Sequence, residues 1–371
     1  MKYKAIKAAI CQHSKMIKMF LLLFFIVITV SFQTDSNTTP SFIVTNSDSV
    51  TIKVYNTNNS DSSYFYSHLK APVCEDGLCY DVELIVYWNL IGSFERFELV
   101  PQKPLTKLKH EPFTEAEYVK LAQLLANNKP TLSNYKKEEL TTKIQNIDGV
   151  SGATVKAVKE ETIAGAVYSC FTLWHLIHGE VVDSIQNVTA KNLTEKNIRQ
   201  ILKYQTENAD LFLLKHLSEK QFNLFCTELL PISINRNWFF SKLFFESIPN
   251  SFVARPEFQT FIAANYHKIE YIGQVSLLKR LQSQHISSQL ASSLLNNAKG
   301  NSTTTEMIFQ LIHYNMNQLN DSVLKQMVET IKNQTLRINT EIATQLLADL
   351  KSKRDLQLEY KTLKKHFSQF K

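Results

Sequence analysis

The chain has 371 residues, 44% of them apolar and 20% charged, with a net charge of +7, enough for two domains of ordinary size with real cores. Glycine is scarce at 8 residues while Phe reaches 23, which argues against a glycine-rich nucleotide-binding fold or a repetitive β-protein and favours helices. The lysines are spread along the chain except in the last twenty positions, so composition also argues against a nucleic-acid-binding face.

The N-terminus reads first. Lys2, Lys4, Lys7, Lys15 and Lys18 precede MFLLLFFIVITV, an uninterrupted apolar run over residues 19–30. A basic segment followed by a short apolar one is the export-signal pattern, and the run is short for a stable membrane span. Val30-Ser31-Phe32-Gln33 matches a small-x-small cleavage site only in part. Residues 1–33 are therefore a signal peptide or an uncleaved N-terminal anchor. Either way the rest of the chain is expected outside the inner membrane, at the cell envelope or in the periplasm. Cys11 lies before the apolar run and so is not placed as a lipid attachment site. Residues 34–69 are rich in Ser, Thr, Asn and Asp and read as a polar spacer containing one strand, SVTIKVY.

An exported chain meets oxidising conditions. Cys74 and Cys79 stand in CEDGLC, where Asp-Gly signals a tight turn that brings the two sulfurs together. A local disulfide is the favoured reading. A redox-active dithiol is the alternative, although no basic neighbour is present to activate it, and CxxxxC is not a standard zinc pair. YDVELIVYW then alternates apolar and polar residues, NLIGS can turn, and FERFELV returns, which predicts a β-hairpin. PLTKLKHEPF, with two prolines, predicts an irregular loop. In FTEAEYVKLAQLLANN, Thr114 caps a helix and Glu117 completes a capping box.

Val155, Val158, Ile163, Val167, Phe171, Trp174 and Ile177 recur at helical spacing and predict one long helix ending at Gly179. Gly165-Ala166 inside it would mark close packing against a neighbour. His175 and His178 fall in its last turn, where interaction with the helix dipole explains them better than metal binding. Cys226 reads as a small core residue. Residues 70–182 thus form an α+β unit. Residues 190–371 show no strand signal. LSEKQFNLFCTELL, ISSQLASSLLNN, LNDSVLKQMVETIKN and INTEIATQLLADLK each lead from a Ser or Asn cap into apolar positions three and four apart. They predict an all-α domain, either a degenerate HEAT-like repeat array or an irregular bundle, closed by a basic amphipathic helix.

One stretch points to chemistry. Residues 147–158 read IDGVSGATVKAV, in which Asp148, Ser151, Gly152, Ala153 and Thr154 spell D-x-x-S-G-A-T. The plain reading is a turn followed by a capped helix start. The sharper reading is that the run resembles the flavinylation motif of the extracytoplasmic FMN-binding domain family, which includes subunits of sodium-pumping NADH:quinone reductases and of Rnf-type complexes. The resemblance implies that Thr154 carries FMN through a phosphoester, attached by a separate flavin transferase that consumes FAD. It implies that the small Gly152 and Ala153 let the loop enter that enzyme, and that the phosphate rests at a helix N-terminus. Asp148 would orient the loop or the transferase's metal. Where family members often carry a glutamate-threonine-proline-glycine loop, this chain reads KPLTKLKHEPF, with Lys107, His110 and Pro112 standing in its place. The helical half has no counterpart in the respiratory subunits.

Three functions follow as expectations. The first is an exported electron-transfer flavoprotein, not a stand-alone enzyme, that works with an unidentified redox partner or envelope complex. The second is an envelope interaction protein whose flavin site is vestigial. The third is a thiol-disulfide protein acting through Cys74 and Cys79.

Overall fold

The computed structural model describes residues 39–46, 49–58, 62–75, 78–107, 110–137, 139–140, 152–300, 302–333, 340–352 and 354–368; for residues 58, 74–75, 78–80, 152–155, 340–342 and 354 it describes the backbone alone. Five strands, β1 (Phe42–Thr45), β2 (Thr51–Asn58), β3 (Ser63–Glu75), β4 (Leu78–Trp88) and β5 (Phe94–Leu99), form an antiparallel sheet in sequential order. The stretch expected to be a spacer therefore carries β1, β2 and the first half of β3. In β3 the inward positions are Phe65, Ser67, Leu69, Ala71 and Val73, all buried, while His68, Lys70 and Pro72 alternate outward. The outward residues hide the apolar period from a reading of the sequence. Pro72 is tolerated because β2 pairs only with residues 63–66, so at Pro72 only one side of the strand is in the ladder.

The outer face of the sheet carries an aromatic row. Tyr55, Tyr66, Tyr87 and Arg96 are successive register partners across β2 to β5. Their rings stack at 5.3 Å and 6.1 Å, and Arg96 lies 3.6 Å over the Tyr87 ring, a cross-strand and cation–π arrangement. The β4–β5 turn is the hairpin expected from NLIGS. Asn89 Oδ1 accepts from the N–H groups of Ile91 and Ser93, each at 3.0 Å. Gly92 has φ +78°, and a Cβ there would lie 2.8 Å from Val182 Cγ1.

Four helices follow, α1 (Glu115–Ala126), α2 (Gly152–Glu161), α3 (Val167–His178) and α4 (Glu180–Lys191); α1, α3 and α4 pack on the sheet and α2 on the 3₁₀ turn Thr131–Asn134. α1 opens with the expected capping box of Thr114 and Glu117. The predicted long helix is in fact two, α2 and α3. Between them Thr162 bonds back to the Val158 carbonyl at 2.7 Å, Gly165 adopts φ +74°, and Ala166 N–H closes on Ile163 O. Gly165 is thus a left-handed turn residue instead of a packing notch. α3 packs on β3 and α4 on β1. Trp88, fully buried, donates its indole N–H to Ile177 O at 3.0 Å.

The remainder is helical: α5 (Glu195–Leu202), α6 (Glu207–His216), α7 (Glu219–Leu224), α8 (Cys226–Leu229), α9 (Ile232–Asn235), α10 (Trp238–Ser247), α11 (Asn250–Val253), α12 (Pro256–Asn265), α13 (Tyr271–Leu281), α14 (Ser288–Asn297), α15 (Thr303–Tyr314), α16 (Asp321–Asn333), α17 (Thr340–Ser352) and α18 (Gln357–Ser368). Neighbours alternate along the chain. α6, α10, α13, α15 and α17 stack in one layer, and α12, α14, α16 and α18 in a second. The N-caps of α6, α10, α13 and α15 are Thr206, Asn237, Glu270 and Ser302, which are 31, 33 and 32 residues apart. Amide side chains tie successive units together. Gln259 accepts from Ser287 N–H and donates to His285 O, and Asn315 does the same for Ile286 and Gln284. α18 packs on α16 and α17 with Leu363 and His366 buried.

One buried apolar cluster runs from Ile52 to Leu363, and Phe42–Lys371 is a single compact unit. Gln200 on α5 exchanges both hydrogen bonds with the Ser63 backbone, at 2.9 and 2.7 Å, which fastens the helical array to β3. No described helix is long and apolar enough to cross a membrane. The predicted signal or anchor, residues 1–33, lies outside the described residues.

Candidate functional site

The D-x-x-S-G-A-T run meets the structure at the start of α2. Gly152, Ala153 and Thr154 form its first turn, by backbone; Asp148 and Ser151 lie outside the described residues. That turn contains no acidic residue, so the first N–H groups and positive dipole end of α2 meet no negative charge from within it. The other end of α2 is firmly held. The Glu161 carboxylate accepts from Thr131 Oγ1 at 2.8 Å and from Leu132 N–H at 3.3 Å, and Val158 is buried. Lys120 Nζ donates to the Thr162 carbonyl just beyond the helix.

Next to that anchor is a cavity of about 400 Å³. Its wall starts at Tyr135, immediately after the 3₁₀ turn Thr131–Asn134 against which α2 packs. Tyr135, Phe171 and His175 supply aromatic surface, and Lys136 and Lys137 supply positive charge. Phe171 and His175 stand one turn apart on α3 with ring centroids at 3.9 Å, and His175 Nδ1 donates to Phe171 O at 2.9 Å. Gly179 also lines the cavity. A Cβ there would sit 2.6 Å from His175 O, so the sharp α3–α4 joint requires glycine. Sequence reasoning missed this cavity. Its only traces were Phe171, read as part of a core stripe, and His175, read with His178 as a helix-end pair.

The other candidates fall into structural roles. His178 Nε2 lies 2.7 Å from Leu125 O and its ring stacks on Trp174 at 4.7 Å; burial, followed by the charge of His175, outweighs the Leu125 bond and pulls its pKa below the usual imidazole value. The pair thus serves α1–α3 packing. Cys170 is fully buried and its thiol is pushed up to about 11 by burial, far from the reactive range. Cys226 is buried as well. Cys74 and Cys79 are direct register partners across the β3–β4 hairpin; their side chains are outside the described residues. In the loop before α1, Lys107 is bound to Glu117 at 3.0 Å, a bridge joins Thr106 to Pro112, and His110 has φ +60°. Lys107 is thereby committed to the capping box. Among the described residues no three His, Cys, Asp or Glu side chains gather as a metal site.

The chain matches no protein-family model, no curated protein and no solved structure. What the fold itself defines is an α+β protein: a five-stranded antiparallel sheet backed by helices and continued by a two-layered helical array.

Proposed function

We propose that the chain is an exported flavoprotein of the cell envelope, carrying FMN phosphoester-linked to Thr154 and shuttling electrons to or from a partner. The observation that carries this reading is that Gly152, Ala153 and Thr154 of the motif form, by backbone, the first turn of a helix that has no acidic residue there and is pinned at its far end. In the attachment step the Thr154 oxygen forms a bond to the FMN phosphorus of FAD. The pyrophosphate bond to AMP breaks, AMP leaves, and the hydroxyl proton passes to a base or metal-bound hydroxide of the transferase. The free N–H groups of the first α2 turn would then hold the phosphate.

The cavity next to the 3₁₀ turn that holds the far end of α2 would receive the flat ring. Its volume falls in the range of about 300–1,000 Å³ that encloses small ligands, Tyr135, Phe171 and His175 give it aromatic surface among the apolar Val44, Ile52, Leu176 and Val181, and Lys136 and Lys137, which outnumber Glu180 in the lining, would offset negative charge gained on reduction. Bound FMN supplies one- and two-electron transfer. The first turn of α2 would hold its phosphate, and Tyr135, Phe171 and His175 would offer its ring aromatic contact. On this reading the flavin-binding unit of residues 70–182 also includes β1 and β2, and the array from residue 190 onward is a HEAT-like docking arm for the redox partner.

Flavin fluorescence on a denaturing gel tests the proposal, using protein exported from a host that also expresses a flavin transferase active on a control substrate. A fluorescent band that disappears in Thr154→Ala is expected; a dark wild-type band rejects it. A second reading, an envelope interaction protein with a vestigial flavin site, draws on the regular two-layered stacking of the helices, a form that presents extended binding surfaces.

A further inference from the structure

A larger cavity lies in the helical array, away from the flavin motif. It measures about 710 Å³ and opens where α5 and α6 meet α8, α9 and the start of α10. Its floor holds a buried ion pair. The Asp210 side chain, 2% exposed, accepts from Arg236 Nε at 2.6 Å. That bond fixes the guanidinium plane and leaves both terminal nitrogens of Arg236 unspent within the described residues. On the rim, Arg199 is paired with Glu228 at 3.2 Å and rests over the Phe225 ring. Lys203 also lines the cavity and has no partner among the described residues. The charges therefore sum to one unmatched cation beside one guanidinium with free donors. A single carboxylate satisfies both.

The remaining lining narrows the ligand class. Gln205 and Asn235 border the cavity, and neither side-chain amide has a partner among the described residues. Paired donor and acceptor amides are suited to peptide groups. Gln205 also holds φ +53°, a left-handed backbone that is strained for a non-glycine residue. Leu202 and Ile232 give the cavity apolar surface. Trp238 and Phe239, two and three residues beyond Arg236, open α10. Both are 46% exposed, with their rings edge to face at 5.8 Å. An exposed aromatic pair beside a polar pocket is the composition of an interface hot spot.

We infer that this cleft binds a linear peptide segment in which one acidic residue is flanked by large apolar residues. The carboxylate sits between Arg236 and Lys203, the peptide groups meet Gln205 and Asn235, and an apolar side chain covers Trp238 and Phe239. Asp210 is a positioning residue that aims Arg236. The inference does not depend on the flavin reading, since none of these residues belongs to the α2 region.

The test is fluorescence anisotropy on the exported full chain, with two labelled hexapeptide pools that are identical except for a central Glu or Gln between Leu and Phe. The Glu pool should bind at least tenfold more tightly. Lys203→Glu, at an exposed position, should abolish that preference, and Trp238→Ala should weaken both pools severalfold while the circular dichroism spectrum stays unchanged. Equal binding of the two pools, a preference that survives in Lys203→Glu, or complete displacement by millimolar inorganic phosphate would overturn the inference, the last by marking a small-anion site only.

Discussion

Glu83 shows how a single side chain on the open face of the sheet becomes a source of stability. It is buried, which raises its pKa, but hydrogen bonds from Lys103 and His68 more than offset this and hold the carboxyl below its usual range. A carboxyl depressed in the folded state contributes stability above its unfolded pKa and loses it as pH falls through the folded value. Glu83→Gln should therefore cost about 1–2 kcal/mol at neutral pH. In urea titrations the gap from wild type should close as pH falls below about 4; a pH-independent gap would show that packing, not charge, is responsible. Asp210 is the opposite case. Burial pushes its carboxyl above the usual range and Arg236 offsets only part of the effect. Arg236→Ala leaves that carboxyl buried and unpaired, at an expected cost of about 3–5 kcal/mol. Adding Asp210→Asn should restore much of the loss, and additive losses in the double-mutant cycle would contradict the coupling. The Glu83 contacts were not legible in the sequence, because they arise from the β3–β4 register and a loop that folds back twenty residues later. The Arg236–Asp210 pair joins α6 to the link between α9 and α10 and was equally hidden.

At the scale of elements, legibility follows range. The capping box of Thr114 and Glu117 and the β4–β5 hairpin depend on residues a few positions apart, and both are as the sequence suggested. β3 was missed because Lys70, His68 and Pro72 alternate with its buried positions. The break between α2 and α3 was missed because the apolar period continues across it, from Val158 through Ile163 to Val167. The motif was legible as a string, and its place at a helix start agrees with the plain reading. The cavity next to the 3₁₀ turn was not, since Tyr135 and His175 are brought together only by the packing of α3 against that turn. That packing is fixed from the sheet side by the Trp88 indole, which satisfies the Ile177 carbonyl in the last turn of α3. Trp88→Phe would leave this carbonyl unpaired and a void beside it, and should destabilise the protein by about 2–3 kcal/mol. A loss under 1 kcal/mol in chemical denaturation would mean that water replaces the indole.

For the molecule as a whole, the sheet and the helical array share one apolar core and are joined by the Gln200–Ser63 exchange. Tryptophan fluorescence and helical circular dichroism should therefore lose their native signals at the same denaturant concentration, and separated midpoints would show two independently stable parts. The central claim is narrower and lies at Thr154. It is tested most directly by the intact mass of wild-type and Thr154→Ala protein, each exported alongside a working flavin transferase. The account predicts that wild type alone gains the mass of one FMN less one water; an unmodified wild-type chain, or an equal gain in the variant, would contradict it.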